Sequence, residues 1–137
     1  MQTYTNYQNS ALLFLRIVTA AIFYVAAYYK FPYWSEVPQG TTPFLLTTTR
    51  ILSIAEPLGA TALLLGFLTR LASAGLMIIL VGAIYVSQVI FSIGFVTPNS
   101  AGWNFPLAVF AGCFILLAFG AGRWSIDHSR SGKKNRF

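Results

Sequence analysis

Arg50-Ile-Leu-Ser-Ile-Ala-Glu56-Pro57-Leu-Gly-Ala-Thr-Ala-Leu-Leu-Leu-Gly66-Phe67 reads as an apolar run interrupted by a single acid. Glu56 is one of only three acids in a chain of 137 residues. A charged side chain at the centre of a membrane helix costs about 2.5–3.5 kcal/mol on insertion scales, so it needs a partner or a job. Pro57 has no N–H to offer the carbonyl of Ser53, which leaves a free acceptor and an expected bend one turn from the acid. The run therefore predicts a membrane helix that carries a polar site.

The rest of the chain supports a membrane setting. With 56 % hydrophobic and 9 % charged residues, the composition excludes an ordinary soluble domain. Four apolar blocks can be read, Ala11–Tyr29, Ile51–Leu68, Leu71–Phe95 and Trp103–Phe119, each near the roughly 17–25 residues that span a hydrocarbon core. The third and fourth lack the polar stripe of a soluble amphipathic helix. The expected fold is all-α, an integral membrane four-helix bundle.

Charge sets the expected orientation. Arg123, Arg130, Lys133, Lys134 and Arg136 crowd the C-terminus and Arg70 links blocks two and three, whereas Lys30 and Arg50 alone flank the first loop. The positive-inside rule then places the N and C termini in the cytoplasm. Met1 to Ser10 carry no Lys or Arg, so no cleavable signal peptide is expected and block one stays as an anchor. The net charge of +6 is assigned to topology and anionic-lipid contact, not to nucleic acid. The expected organisation is a four-span domain over 1–128 and a mobile, basic cytoplasmic tail over 129–137.

Local signals mark the helix ends. Asn9 or Ser10 is expected to cap the first helix, and Thr42-Pro43 to start the second well before its apolar block. That start puts Arg50 near the outer interface and Glu56 about 9 Å deeper. Leu68-Thr69-Arg70 predicts a tight hairpin, and Gly120 and Gly122 end the fourth helix. Ala55/Gly59 and Ala108/Gly112 offer close approach between helices, as do Gly75 and Gly82 on the third.

Depth sorts the remaining polar residues into two groups. An outer cluster gathers Glu56, Lys30, Arg50, Tyr85, Gln88 and Asn104. An inner cluster holds Arg16, Arg70, Arg123 and Asp127, with Asp127 the sole acid and the expected anchor of a salt-bridge network. Glu56 has three readings: a structural pair with Lys30 or Arg50, a proton acceptor in a ligand site, or a neutral lipid-facing acid. No metal site is expected, because the single His128 has no neighbouring His or Cys. The lone Cys113 reads as a packing residue and excludes an internal dithiol relay.

Several of these segments together resemble the DoxX family of small four-helix membrane proteins. They are Leu15-Arg16, Lys30, Glu56-Pro57-Leu-Gly, Leu65-Gly66-Phe67-Leu68-Thr69-Arg70, and Trp103-Asn104 with Gly120-Ala-Gly-Arg123-Trp-Ser-Ile-Asp127. The resemblance implies the cytoplasmic membrane of a bacterium or archaeon. It also implies kinship with the membrane subunit of thiosulfate:quinone oxidoreductase and with relatives that associate with redox-defence partners.

Two functions are expected from this reading. One is an accessory subunit packed in a larger membrane electron-transfer complex, touching lipid or quinone. The other is a quinone-linked oxidoreductase component in which Glu56 accepts a proton, Lys30 or Arg50 tunes its charge, and Tyr85 or Asn104 donates to a quinone oxygen. The chain has no haem, flavin or dithiol motif of its own, so either function leaves the electron carrier to a partner subunit.

Overall fold

A computed structural model describes residues 5–98 and 102–133, and side chains as far as Ser129. The described chain is all-helical. Helix α1 spans Asn6–Tyr28, and a 3₁₀ turn, Phe31–Trp34, follows it. Helix α2 spans Pro43–Leu65, and α3, Thr69–Tyr85, runs on into a π-helical turn over Val86–Ile90. Helix α4 spans Asn104–Phe119 and the short α5 spans Ile126–Lys133. The expected boundary at 128 falls inside α5, and residues 134–137 of the basic tail lie outside the described residues.

The helix starts show local chemistry at work. Thr5, not Asn9 or Ser10, caps α1: its hydroxyl accepts from the Gln8 amide at 3.4 Å while Gln8 Oε1 accepts from the Thr5 amide at 2.9 Å. That reciprocal pair satisfies two orphan donors, and Asn9 is left for another task inside the fold. Thr42 caps α2 as the sequence predicts, with its hydroxyl accepting from the Leu45 amide and Pro43 at the first position. The helix continues unbroken through Pro57.

Gly66 ends α2 at φ +65°, a conformation that costs a Cβ-bearing residue but not glycine. The Phe67 amide reaches back to Ala62 O at 2.9 Å and the Gly66 amide to Leu63 O at 3.1 Å, so two carbonyls of the last turn are used. The turn is closed to a larger residue, since a Cβ on Gly66 would meet Ser125 Cβ and Arg16 Nη2.

α1 packs on α2 and α4, and α3 packs on α4 and, less extensively, on α2. Leu12, Phe23, Leu63, Leu76, Leu80, Val109, Cys113 and Leu116 fill the space between them. Gly59 lies against Leu76, where a Cβ would come within 2.8 Å of a methyl carbon, and Gly112 lies against Leu15 and Thr19. Gly75 and Gly82 depart from the expected close packing: nothing lies within 4 Å of a Cβ on either. Thus α2 and α3 touch near their hairpin, at Gly59, and leave open space further along, at Gly82.

Apolar side chains cover the outside as well as the core. Phe14 on α1, Leu58 on α2, Ile78 on α3 and Phe114 on α4 are each more than half exposed. Two helical stretches, Asn6–Trp34 and Thr69–Ile90, are long and apolar enough to cross a membrane, and α4 is a shorter apolar helix of 16 residues.

Candidate ligand site at the Lys30–Glu56 pair

Lys30 lies just past the end of α1, and its side chain turns back along the helix. The Lys30 amide bonds Ala27 O, while its ε-ammonium reaches Ala26 O at 3.2 Å. This follows the lean of the Cα–Cβ bond toward the helix N-terminus and covers a carbonyl at the C-terminal end, where positive charge is favoured. The same nitrogen lies 2.7 Å from Glu56 Oε2 and 2.9 Å from Oε1. Glu56 is 3 % exposed, so its carboxylate depends on that cation. All three ammonium donors are thereby occupied.

The 3₁₀ turn and α2 form a brace beside the pair. Arg50 Nε donates to Tyr33 O at 3.0 Å, and its guanidinium carbon sits 5.5 Å from the centroid of the Trp34 ring. Trp34 Nε1 donates to Ser53 Oγ at 3.0 Å, and Ser53 Oγ donates to Arg50 O at 2.7 Å. Trp34 thus ties the first loop to α2. Ser53 is fully buried and serves as the joint.

Two cavities meet at Lys30. One, of about 490 Å³, lies under the first loop and is lined by Tyr29, Tyr33, Gln39 and Thr41 among others. The second, of about 500 Å³, is a groove between α2 and α3, walled by Leu52, Ile79, Gly82, Tyr85 and Ser87 among others. Lys30, Leu45, Thr49 and Val86 line both. Val86 opens the π-helical turn, where the Phe91 amide bonds Val86 O five residues back at 3.1 Å. Such turns re-aim a helix end and recur at functional sites.

The expected outer cluster is therefore only partly assembled. Lys30 and Tyr85 line the cavities. Glu56 lies behind Lys30 and lines neither, and Arg50 belongs to the brace. Gln88 is exposed on the π-helical turn and lines neither cavity. Asn104 sits at the start of α4, also away from both, and its buried Oδ1 has no hydrogen-bond partner among the described residues. Thr49 and Gly82 were missed. The Thr47-Thr48-Thr49 run ahead of Arg50 was a legible sign of polarity there, but nothing in the sequence marks the π-helical turn.

At the other end of the fold, charged side chains meet backbone groups. Arg16 is 1 % exposed and donates to four carbonyls: Leu63 O at 2.8 Å, Leu64 O at 2.8 Å, Ala121 O at 2.9 Å and Trp124 O at 2.9 Å. Asp127 accepts from the Leu68 amide at 2.8 Å and the Thr69 amide at 2.9 Å, at the start of α3, where negative charge is favoured.

The salt-bridge network expected among Arg16, Arg70, Arg123 and Asp127 is corrected accordingly. The ion pair within 4 Å among the described residues is Lys30–Glu56, and the charged groups of Arg16, Arg70 and Asp127 meet backbone groups instead. Arg70 Nη2 donates to Ala118 O at 3.3 Å, and Arg123 contributes its amide to Asn9 Oδ1 at 2.9 Å. Asn9, free of capping duty, thus clamps the α4–α5 link to α1.

Comparison with known proteins adds one match. The family model described as DoxX covers residues 11–91. That segment holds α1 from residue 11 onward, the first loop, the hairpin and the π-helical turn, and so all of Lys30, Glu56 and both cavities. No curated protein and no solved structure matches the chain.

Proposed function

The chain belongs to the DoxX family, a membrane-protein family often linked to quinone-related oxidoreduction, and from that premise we propose that it is an accessory subunit of a larger membrane electron-transfer complex, holding a quinone head group beside Lys30. In this reading α1 to α4 form a four-helix bundle that crosses the cytoplasmic membrane of a bacterium or archaeon. Both termini and Arg70 face the cytoplasm, and the Lys30 end faces outward. Lipid or neighbouring subunits cover the exposed Phe14, Leu58, Ile78 and Phe114.

The observation that carries the reading is the Lys30–Glu56 pair at the meeting point of two cavities. Ionisable groups at membrane depth mark sites of function, and here the cation of a buried pair borders open space on two sides. Glu56 takes a supporting part: it holds the ammonium in position while the ammonium faces the ligand. The redox centre is assigned to a partner, since the sequence has one cysteine and one histidine and no paired ligand motif.

Native-gel profiling of gently solubilised membranes, following this chain by mass spectrometry, tests the assignment. Migration with a large electron-transfer complex is the expected result. Migration alone or as a small oligomer would overturn the accessory role.

A further inference from the structure

We propose that the α2–α3 groove is a lateral portal that seats the isoprenoid tail of the quinone, with its head at the junction beside Lys30 and Gly82 setting which tails fit. This inference rests on the quinone reading above and adds to it a route, an orientation and a residue that determines specificity.

Continuity is the first argument. The cavity under the loop and the groove share Lys30, Leu45, Thr49 and Val86, so a molecule spanning both passes directly by the ammonium. Their volumes of about 490 and 500 Å³ each fall in the range of small-molecule sites.

Chemical asymmetry is the second. Away from the junction the groove is walled by Leu52, Ile78, Ile79 and Ala83, a surface suited to hydrocarbon. The cavity under the loop is lined by Tyr29, Tyr33, Gln39 and Thr41, which suit a ring bearing carbonyl oxygens. A quinone head in the loop cavity with its tail in the groove puts the polar end against the more polar of the two linings and the hydrocarbon against the more apolar one.

Geometry supplies the third. Ile78 is 74 % exposed, so the groove is open toward the lipid-facing side of α3, where an isoprenoid quinone travels. Gly82 forms part of that wall, and a Cβ there would have no atom within 4 Å. The missing side chain is thus groove volume and not a helix contact, in contrast to Gly59 against Leu76. At the head, Lys30 is fully bonded, but its 3.2 Å bond to Ala26 O is the longest of three. A quinone carbonyl would replace that bond and leave the Glu56 pair intact.

The test uses the full-length protein in lipid nanodiscs and equilibrium binding of two probes, ubiquinone with its complete isoprenoid tail and the tailless ubiquinone head. In Gly82→Leu the affinity for the tailed quinone is expected to fall about tenfold, roughly 1.4 kcal/mol, while the tailless head binds as in the wild type. Gly75→Leu, on the same helix with the same open surroundings but outside both cavities, is the control and leaves both affinities unchanged. Ile78→Trp repeats the blockade from a second wall position should Gly82→Leu fail to fold.

If the wild type binds both probes and Gly82→Leu and Ile78→Trp leave the tailed quinone unaffected, the portal is wrong and the quinone reading stands. Equal loss of both probes in Gly82→Leu would also overturn the portal. If the wild type binds neither probe, the quinone reading itself falls, and the portal with it.

Discussion

The two ends of this protein solve the same problem in opposite ways. At the hairpin end Arg16 is buried among carbonyls of α2 and the α4–α5 link, and Asp127 is taken up by two amides of α3. At the loop end Lys30 and Glu56 hold each other, and cavities adjoin the cation. A charge answered by backbone joins segments and leaves little room for anything else. A charge answered by another side chain can stand at the edge of a cavity, because its partner needs only one side of it. The first arrangement builds the fold, and the second leaves a polar group facing open space, where the proposed quinone would sit.

The sharpest way to break this contrast is Arg16→Met. It strips donors from four carbonyls on two segments, and interhelical hydrogen bonds in membranes average about 0.6 kcal/mol and reach about 1.7. Because these involve a cation, a total loss of about 3 kcal/mol or more is expected, read as earlier thermal unfolding in detergent micelles. Arg16→Lys should recover only part of it, since an ammonium lacks the planar fork that reaches several carbonyls. No loss in Arg16→Met would remove the structural half of the contrast.

Glu56→Gln comes next. It strands the Lys30 ammonium in a partly buried position, at an expected cost of about 2 kcal/mol by the same unfolding assay. The double variant Lys30→Met with Glu56→Leu should restore most of that stability while abolishing quinone binding. Such a separation of folding from binding is what distinguishes the loop end. If the double variant binds as the wild type does, Lys30 has no ligand role.

Asp127→Ala is the mildest of the three. It removes acceptors from two amides at the start of α3, and cap removal costs about 1 kcal/mol. Its expected signature is faster amide exchange at Leu68 and Thr69 with the Lys30 cavities undisturbed. An effect of this change on quinone binding would show that the two ends are coupled.

What could be read from the sequence divides along the same line. Apolar blocks gave helices near their expected places and Thr42-Pro43 started α2, since these signals act within a few residues, whereas block two was expected to run to Leu68 and α2 stops at Gly66. The pairing of Glu56 with Lys30 was among the readings, because both charges are visible in the sequence and their depths agree. The partners of Arg16 and Asp127 were not legible, because they are peptide carbonyls and amides that every residue carries. The true cap at Thr5 was overlooked for Asn9, whose side chain is used across the fold instead. The open space at Gly82 was likewise hidden, as a glycine reads the same whether it admits a neighbouring helix or leaves a groove.

One labelling experiment tests the central claim, that the Lys30 end is the ligand-binding end. Cys113 is fully buried, so the wild type supplies a silent background for maleimide. Thr49→Cys puts a thiol on the wall shared by both cavities, and its labelling in nanodiscs is followed with and without tailed ubiquinone. Modification of Thr49→Cys that slows as quinone is added is the expected result. Labelling at one rate, whatever the quinone concentration, would contradict a ligand beside Lys30.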